Sequence, residues 1–164
     1  MEIQDKVTLI TGVSGGIGLA TARLFAARGA RVALAARSAE LLEQLAVALP
    51  EALAIPTDMR DEAAVAAMVA AVDQRYGRLD VLINNAGLGM YAAVERTSLA
   101  QYRSLFELNV VGVLAAMQAV IPLMRRTGGG LIINISSGTT KMILPGTGPY
   151  ASTKHALNGL SMVA

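Results

Sequence analysis

The sequence predicts an α/β fold in which helices cover both faces of a parallel sheet. Short runs rich in Val, Ile and Leu alternate along the chain with longer Ala-rich stretches of helical periodicity. The short runs are apolar at nearly every position, which is typical of strands buried on both faces. With 164 residues the chain can bury a sizeable core, so we expect residues 1–164 to form a single domain.

The alternation predicts five strands and five helical segments. The strands are expected at residues 7–10, 31–36, 52–56, 81–83 and 131–135. The helices are expected at residues 17–28, 38–49, 62–76 and 99–126, and from residue 149 onward. Apolar residues recur at helical spacing in the first helix as Ile17, Ala20, Leu24 and Phe25, and in the third as Val65, Met68, Val69 and Val72.

Several helix ends carry residues that favour a start or a stop. Ser38 and Asp61 are typical N-cap residues, because their side chains can accept a hydrogen bond from the first helical turn. Gly29 and Gly77 follow the last periodic positions of two helices, and Pro50 ends a third.

Composition excludes several classes of site. The chain is 54% apolar and 16% charged, so it is expected to fold. The formal charge is only +2, and no run of basic residues is longer than the two of Arg125-Arg126, which argues against a nucleic-acid partner. With no cysteine and one histidine, His155, we expect neither a disulfide nor a bound metal.

The N-terminal segment and the longest apolar run bear on location. Residues 1–6 are polar and resemble no signal peptide. The run over 110–124 contains Gln118 and Pro122 and is shorter than the ~20 residues of a membrane helix, so it predicts a buried helix. We therefore expect a cytoplasmic protein without a membrane partner, and the missing cysteines are compatible with that compartment.

A glycine-rich segment, Thr11-Gly12-Val13-Ser14-Gly15-Gly16-Ile17-Gly18, follows the first strand and opens the first helix. Glycines allow the backbone to approach a phosphate, and a helix N-terminus offers free N–H groups. The alternative is a glycine-rich turn without a ligand. Its position between a strand and a helix favours nucleotide binding.

Arg37 follows the second strand, where an acidic residue would bind the ribose hydroxyls of NAD. An arginine without a neighbouring acid is suited to a 2′-phosphate, so the sequence favours NADP(H) over NAD(H). The alternative is a solvated surface arginine.

Tyr150 and Lys154 lie four residues apart in a predicted helix, about one turn, so their side chains share a face. A neighbouring positive charge lowers the pKa of a phenol, which favours proton transfer near neutral pH.

These segments together resemble the classical short-chain dehydrogenase/reductase family over the whole chain. The matching residues are Thr11, Gly12, Gly16, Ile17 and Gly18 in the glycine motif, Asn84-Asn85-Ala86-Gly87, Asn109, Asn134-Ile135-Ser136-Ser137, and Tyr150 with Lys154. The resemblance implies a Rossmann-type sheet with strand order 3-2-1-4-5 for the five strands present.

The resemblance also implies a catalytic tetrad, Asn109, Ser137, Tyr150 and Lys154. Tyr150 would exchange the proton with the substrate oxygen, Lys154 would lower its pKa and bind the nicotinamide ribose, and Ser137 would hydrogen-bond the substrate. Asn109 would hold a water that connects Lys154 to solvent; the alternative is a buried asparagine that bonds a backbone carbonyl. Ser136 is expected as the packing neighbour of Ser137.

The expected cofactor contacts combine the motif residues with Arg37 and with Asp58, which matches the family's adenine-contacting aspartate. They are Thr11, Gly12, Ser14, Gly16, Ile17, Gly18, Arg37, Asp58, Asn85, Ala86, Gly87, Tyr150 and Lys154. The segment 84–87 has the alternative of a purely structural turn at the centre of the sheet.

The substrate is expected to lie near two mostly apolar segments, Met142–Pro145 and Leu88–Tyr91, which favours a lipophilic alcohol or ketone. Core packing is the alternative for each of these residues. His155 points to another helix face and is expected to pack rather than catalyse.

Members of the family continue beyond the Tyr150–Lys154 motif with a sixth and a seventh strand and a mobile covering segment, so we expect a shortened version of a longer enzyme. A homo-oligomer, dimer or tetramer, is expected through the long helix and the last helix. The leading prediction is an NADP(H)-dependent oxidoreductase acting on an alcohol or carbonyl compound. The alternatives are a nucleotide-binding fragment without catalysis and an epimerase or dehydratase that uses the same tetrad.

Overall fold

The structure is a computed structural model and describes residues 2–163. Five strands form one parallel sheet in the order β3-β2-β1-β4-β5, which confirms the predicted fold class and strand order. The strands are β1 (Val7–Thr11), β2 (Arg31–Ala36), β3 (Leu53–Pro56), β4 (Val81–Asn84) and β5 (Leu131–Asn134). The order reverses between β1 and β4, so a crevice opens there at the carboxyl ends of the strands.

Within residues 2–163, six α-helices connect and flank the strands. They are α1 (Gly16–Ala27), α2 (Ala39–Ala48), α3 (Glu62–Tyr76), α4 (Leu99–Phe106), α5 (Gly112–Arg126) and α6 (Gly148–Val163). Predicted caps are confirmed: Ser38 Oγ accepts from Leu41 N–H at 3.4 Å, and Asp61 accepts from Ala63 N–H at 2.9 Å. Gly77 ends α3 in the left-handed conformation at φ 69°.

Two apolar layers cover the sheet, one on each face. One face packs against α3 and α5 through residues such as Val65, Met68 and Val120. The other packs against α1 and α2 through Ala22 and Leu42. The helices therefore wrap the sheet on both sides, as the nearly uniform apolar character of the strands predicts.

Of the four apolar residues predicted to recur along α1, only Phe25 packs against the core. Ile17, Ala20 and Leu24 are exposed, whereas the buried residues are Gly18, Ala22 and Ala26. Small residues face the sheet because this helix lies close to the strands and to the loop after β4. Ile17 and Leu24 consequently point outward, and Ile17 faces the crevice.

The long helical segment over 99–126 is interrupted by a π-helical turn, Glu107–Val111, between α4 and α5. Asn109 lies in this turn and is fully buried. By length and composition, the helix from Leu99 to Arg126 is the one segment of residues 2–163 that could cross a membrane. Half of its most apolar stretch is buried inside the protein, as in a core helix.

Candidate active site

A cleft of about 520 Å³ lies at the carboxyl ends of the strands. The loops after all five strands reach it, as expected where the strand order reverses. Ten of the predicted site residues line it: Gly12, Ser14, Ile17, Arg37, Asp58, Asn85, Ala86, Gly87, Tyr150 and Lys154. The other five, Thr11, Gly16, Gly18, Asn109 and Ser137, lie behind or beside this surface. Contacts described below occupy four of them, whereas Gly16 has open space beside it.

Two glycines are required by close packing between the loops after β1 and β4. Gly12 has φ 71°, and a Cβ built on it would lie 2.7 Å from the Cα of Ala86. A Cβ on Gly18 would lie 2.5 Å from the carbonyl oxygen of Gly12. Both distances are shorter than any real contact of that kind. The glycine segment is therefore also a packing motif that seats one loop on the other.

Thr11 and Asn85 bond these two loops together. The hydroxyl of Thr11 accepts from the N–H groups of Asn85 and Ala86 at 3.1 and 3.0 Å. The side-chain amide of Asn85 donates to the carbonyls of Thr11 and Gly12, both at 3.0 Å. Asn84 Nδ2 bonds Asn134 Oδ1 at 2.8 Å, across β4 and β5. The segment 84–87 thus has the structural role that was its alternative, and it also lines the cleft.

The loops after β2 and β3 carry the charged groups of the cleft. Arg37 is exposed, and no carboxylate of residues 2–163 lies within 4.0 Å of it. Arg60 differs, since its guanidinium lies 3.5 Å from Asp58 Oδ1 and donates through Nε to the Ser104 carbonyl at 3.3 Å. Of these two arginines, Arg37 is the one whose charge is available to an anionic ligand.

Tyr150 and Lys154 lie one turn apart on α6, and both face the cleft. The ammonium of Lys154 lies 5.9 Å from the centre of the Tyr150 ring and donates to the carbonyl of Ile135 at 2.7 Å. The side chain is almost completely buried. Burial lowers the pKa of Lys154 below its ordinary value, because the charged form loses hydration.

Asn109 connects the loop after β4 to α6. Its Oδ1 accepts from Leu88 N–H at 3.0 Å, and its Nδ2 donates to the Leu88 carbonyl at 2.9 Å and to Thr153 Oγ1 at 3.1 Å. Thr153 in turn donates to the Tyr150 carbonyl at 2.7 Å. The side chain bonds a backbone carbonyl, as its structural alternative predicts, and through Thr153 it contacts the helix of Tyr150 and Lys154.

The two serines after β5 have different surroundings. Ser137 Oγ accepts from the N–H and the hydroxyl of Thr139, at 3.2 and 3.0 Å, and so begins the short 3-10 turn at 138–140. Ser136 donates to Asn158 Oδ1 at 2.6 Å and lines the cleft. Ser136 is therefore more than a packing neighbour of Ser137.

Five exposed apolar side chains in the loops after β4 and before α6 are here called the lip: Leu88, Tyr91, Met142, Ile143 and Leu144. Of these, Leu88 lines the cleft. Tyr91 joins the two loops, because a Cβ on Gly146 would lie 2.6 Å from Cζ of the tyrosine ring. The N–H of Ala92 also bonds the Gly146 carbonyl at 2.8 Å.

Three contributors were missed by the sequence reasoning: Thr153, Asn158 and the glycine at 146. Thr153 and Asn158 share α6 with Lys154, and their helical spacing was available as a signal. Gly146 lies in a loop where nothing in the sequence marks the approach of Tyr91. Among residues 2–163, no group of three or more His, Cys, Asp or Glu side chains is arranged to hold a metal ion.

Comparison with known proteins gives consistent results. The family model described as short chain dehydrogenase matches residues 6–164. An uncharacterized oxidoreductase of Methylorubrum extorquens is 38% identical over 99% of this chain and 66% of its own length. The crystal structure of a short-chain dehydrogenase from Streptomyces avermitilis superposes with a TM-score of 0.92 at 41% identity, over 97% of this chain and 59% of that one.

A second solved structure, a short chain dehydrogenase/reductase from Burkholderia phymatum in complex with NAD, superposes with a TM-score of 0.92 at 29% identity. The match covers 99% of this chain and 59% of that one. The chain thus spans about two thirds or less of the length of these relatives. On the match of the family model and on this fold, the chain belongs to the short-chain dehydrogenase family.

Proposed function

We propose that the chain is an NADP(H)-dependent oxidoreductase that interconverts an alcohol and a carbonyl compound, with residues 1–164 as one domain carrying both the cofactor and the proton-transfer residues. One observation carries the proposal: Tyr150 and Lys154 line the same cleft as the glycine loop and Arg37. A nucleotide-binding surface and a group able to exchange a proton therefore adjoin one volume.

The residues of the cleft fit a dinucleotide. Gly15 and Gly16 have open space where a Cβ would stand, at the N-terminus of α1, so a diphosphate can approach the free N–H groups of the first turn. Gly12, Ser14 and Ile17 would complete that end. Asp58 would contact the adenosine, and Asn85, Ala86 and Gly87 would line the nicotinamide side.

The nicotinamide would supply or accept the hydride. Tyr150 would donate its hydroxyl proton to the carbonyl oxygen during reduction and take it back during oxidation. Lys154 would stabilise the charge that develops on that oxygen. Its Nζ donates one hydrogen bond to the Ile135 carbonyl, which leaves two N–H groups that could bind the ribose hydroxyls. Ser137 would donate its hydroxyl hydrogen to the substrate oxygen, since its two bonds with Thr139 are both accepted by Oγ and do not use that hydrogen.

The preference for NADP(H) is proposed from the free charge of Arg37. Arg37→Asp should weaken NADP binding and bring its affinity to or below that of NAD, because the carboxylate repels the 2′-phosphate and accepts from the ribose hydroxyls. Arg23→Asp, on the exposed side of α1, is the matched control. Equal NADP affinities in Arg37→Asp and the parent chain would make Arg37 a surface charge only.

The reaction is tested by following NADPH oxidation with a panel of ketones and aldehydes. Tyr150→Phe should lower turnover by ~10²- to 10⁴-fold, the usual contribution of a general acid, and leave NADPH affinity unchanged. Tyr76→Phe is the control, because its hydroxyl bonds the Glu51 carbonyl far from the cleft. Cofactor binding without turnover in the parent chain would favour the nucleotide-binding fragment. Epimerisation or dehydration would appear as product without net NADPH consumption.

The lip supports a lipophilic substrate as part of the proposal. In a series of ketones of increasing chain length, kcat/KM should rise with apolar area, by about threefold to fivefold per added methylene at ~0.8 kcal/mol each. Ile143→Ser should flatten the series, since Ile143 is fully exposed and its replacement is not expected to disturb the core.

A homo-oligomer through the long helix and α6 also belongs to the proposal. Leu99, Met162 and Val163 expose 65%, 85% and 85% of their surface, and a second copy of the chain would cover them. Light scattering coupled to size exclusion tests this, and a monomer at micromolar concentration would refute it. The cytoplasmic location stays a prediction.

A further inference from the structure

The loop after β3 and the start of α5 cross at a point where no side chain fits. Gly112 is the first residue of α5 and is buried. A Cβ built on it would overlap the carbonyl oxygen of Met59 and would lie 3.0 Å from the carbonyl carbon and 3.3 Å from the Cβ of that residue. The backbone of Gly112, at φ −61° and ψ −34°, is ordinary helix. Glycine is therefore needed here for space and not for conformation.

The loop at this crossing, residues 57–60, forms one wall of the cleft. It is held against the helices at two points, by Gly112 under the Met59 carbonyl and by Arg60 Nε, which donates to the Ser104 carbonyl. The side chain of Met59 is itself buried in the core that includes Leu108. These two points of contact, here called the tethers, lie on either side of the π turn that carries Asn109.

We infer that Gly112 is a positioning residue for the adenosine end of the cleft: it lets α5 approach the Met59 carbonyl and so fixes the loop that presents Asp58. The inference rests on the proposed binding of a dinucleotide. An alanine cannot be accommodated by rotating a side chain, because the obstructing atom belongs to the backbone. To restore a carbon–oxygen distance of ~3.3 Å, the loop must move away from α5 by roughly an ångström.

Such a shift displaces Asp58 while leaving α6 in place. The Thr57 N–H bonds the Ala36 carbonyl at 2.8 Å, and the Asp61 N–H bonds the Asp58 carbonyl at 3.0 Å. Both bonds hold the loop in its present position, so their amides report its displacement directly. The nicotinamide side, built from residues 85–87 and α6, has no part in this crossing.

The test compares the parent chain with Gly112→Ala, using Gly159→Ala as the control. Gly159 is also a helical glycine, and a Cβ there meets nothing within 4 Å. Calorimetric titration with adenosine 2′,5′-bisphosphate and with nicotinamide mononucleotide reads the two ends separately. Gly112→Ala should lose about 10-fold or more in affinity for the adenosine ligand, since a displacement of ~1 Å breaks well-placed hydrogen bonds. Affinity for the mononucleotide should change less than about twofold, and Gly159→Ala should match the parent for both.

Hydrogen exchange adds a readout that general destabilisation does not move. In Gly112→Ala the amides of Thr57 and Asp61 should exchange faster, while those of α6 keep the parent rate. Equal loss of both ligands, or unchanged affinity for the bisphosphate in a folded Gly112→Ala chain, would overturn the inference. A parent chain that binds neither ligand would instead refute the proposed function, and the inference with it.

If Gly112→Ala does not fold, Arg60→Ala takes its place, because it removes the second tether of the same loop and adds no atoms. Uncharged adenosine then serves as the probe, so that the lost charge removes no attraction for the ligand. Exchange at Thr57 separates a displaced loop from the loss of the ion pair with Asp58. Weaker adenosine binding with faster exchange at Thr57 supports the inference. Unchanged binding and exchange contradict it.

Discussion

Asn109 offers the sharpest test of how the site is assembled. Its side chain is fully buried and makes three hydrogen bonds, two with the backbone of Leu88 and one with Thr153. We predict that Asn109→Ala destabilises the fold substantially, because all three bonds are lost at once in a buried place. A net contribution of ~1 kcal/mol per bond gives a loss of about 3 kcal/mol.

Urea unfolding followed by circular dichroism measures this loss, and calorimetry measures the matching fall in Tm. For a chain of this size, 3 kcal/mol corresponds to a Tm lower by about 6–12 °C. Asn158→Ala is the matched control, since this half-buried asparagine has one side-chain bond, from Ser136, and should lose less than ~1 kcal/mol. An Asn109→Ala chain within 1 kcal/mol of the parent would refute the assignment of Asn109 as a buried brace.

Three further predictions concern charge and packing. Burial alone would raise the pKa of Asp80, but hydrogen bonds from Arg78 and from the Val7 amide hold it below the ordinary value of 3.8. The stabilisation by the Asp80 carboxylate is therefore fully present above pH 3.8 and is lost as pH falls through the lower pKa of the folded state. Asp80→Asn should lower the free energy of unfolding by about 1–2 kcal/mol at pH 7 and flatten the acid limb of a stability–pH curve. Burial lowers the pKa of Lys154, so its positive charge destabilises the fold below that pKa, and this destabilisation is lost as pH rises toward the ordinary value of 10.5. The free energy of unfolding of the parent, relative to that of Lys154→Met, should therefore rise with pH in that window. A difference that does not change with pH would contradict this. Gly18→Ala should cost ~1–3 kcal/mol by overpacking, whereas Gly159→Ala should be neutral or stabilising in the same urea titration.

The sequence predicts what depends on local pattern. Strand positions follow from apolar runs, and the caps at Ser38, Asp61 and Gly77 follow from side-chain chemistry that acts within one turn. The parallel sheet follows from strands that are apolar on both faces. The strand order came with the family resemblance, since pattern alone leaves it open.

The failures arise where distant segments decide the outcome. The prediction for α1 fails at Ile17 because the helix lies so close to the loop after β4 that position 18 must be glycine. Ile17, next to it, then points outward. No residue type marks the π turn at Glu107–Val111, because a π turn has the same kinds of residues as the α-helix around it. The contact between Asn109 and Thr153 spans 44 residues and depends on how α6 docks.

The docking of α6 explains how one helix can hold a buried ammonium in place. Lys154, Asn158 and Ser161 recur at helical spacing on one face and bond the chain at and just after β5: the Ile135 carbonyl, the Ser136 hydroxyl and Asn134 Nδ2. Leu157 adds apolar packing against Val113 and Met117 of α5. Apolar packing alone tolerates a small slide of a helix along a surface, whereas three directional bonds at fixed spacing do not. The position of Lys154 is thus set by β5, and Ser136 and Ser137 directly follow that strand. The distance between the ammonium and the serines therefore does not depend on what covers the outer surface of α6.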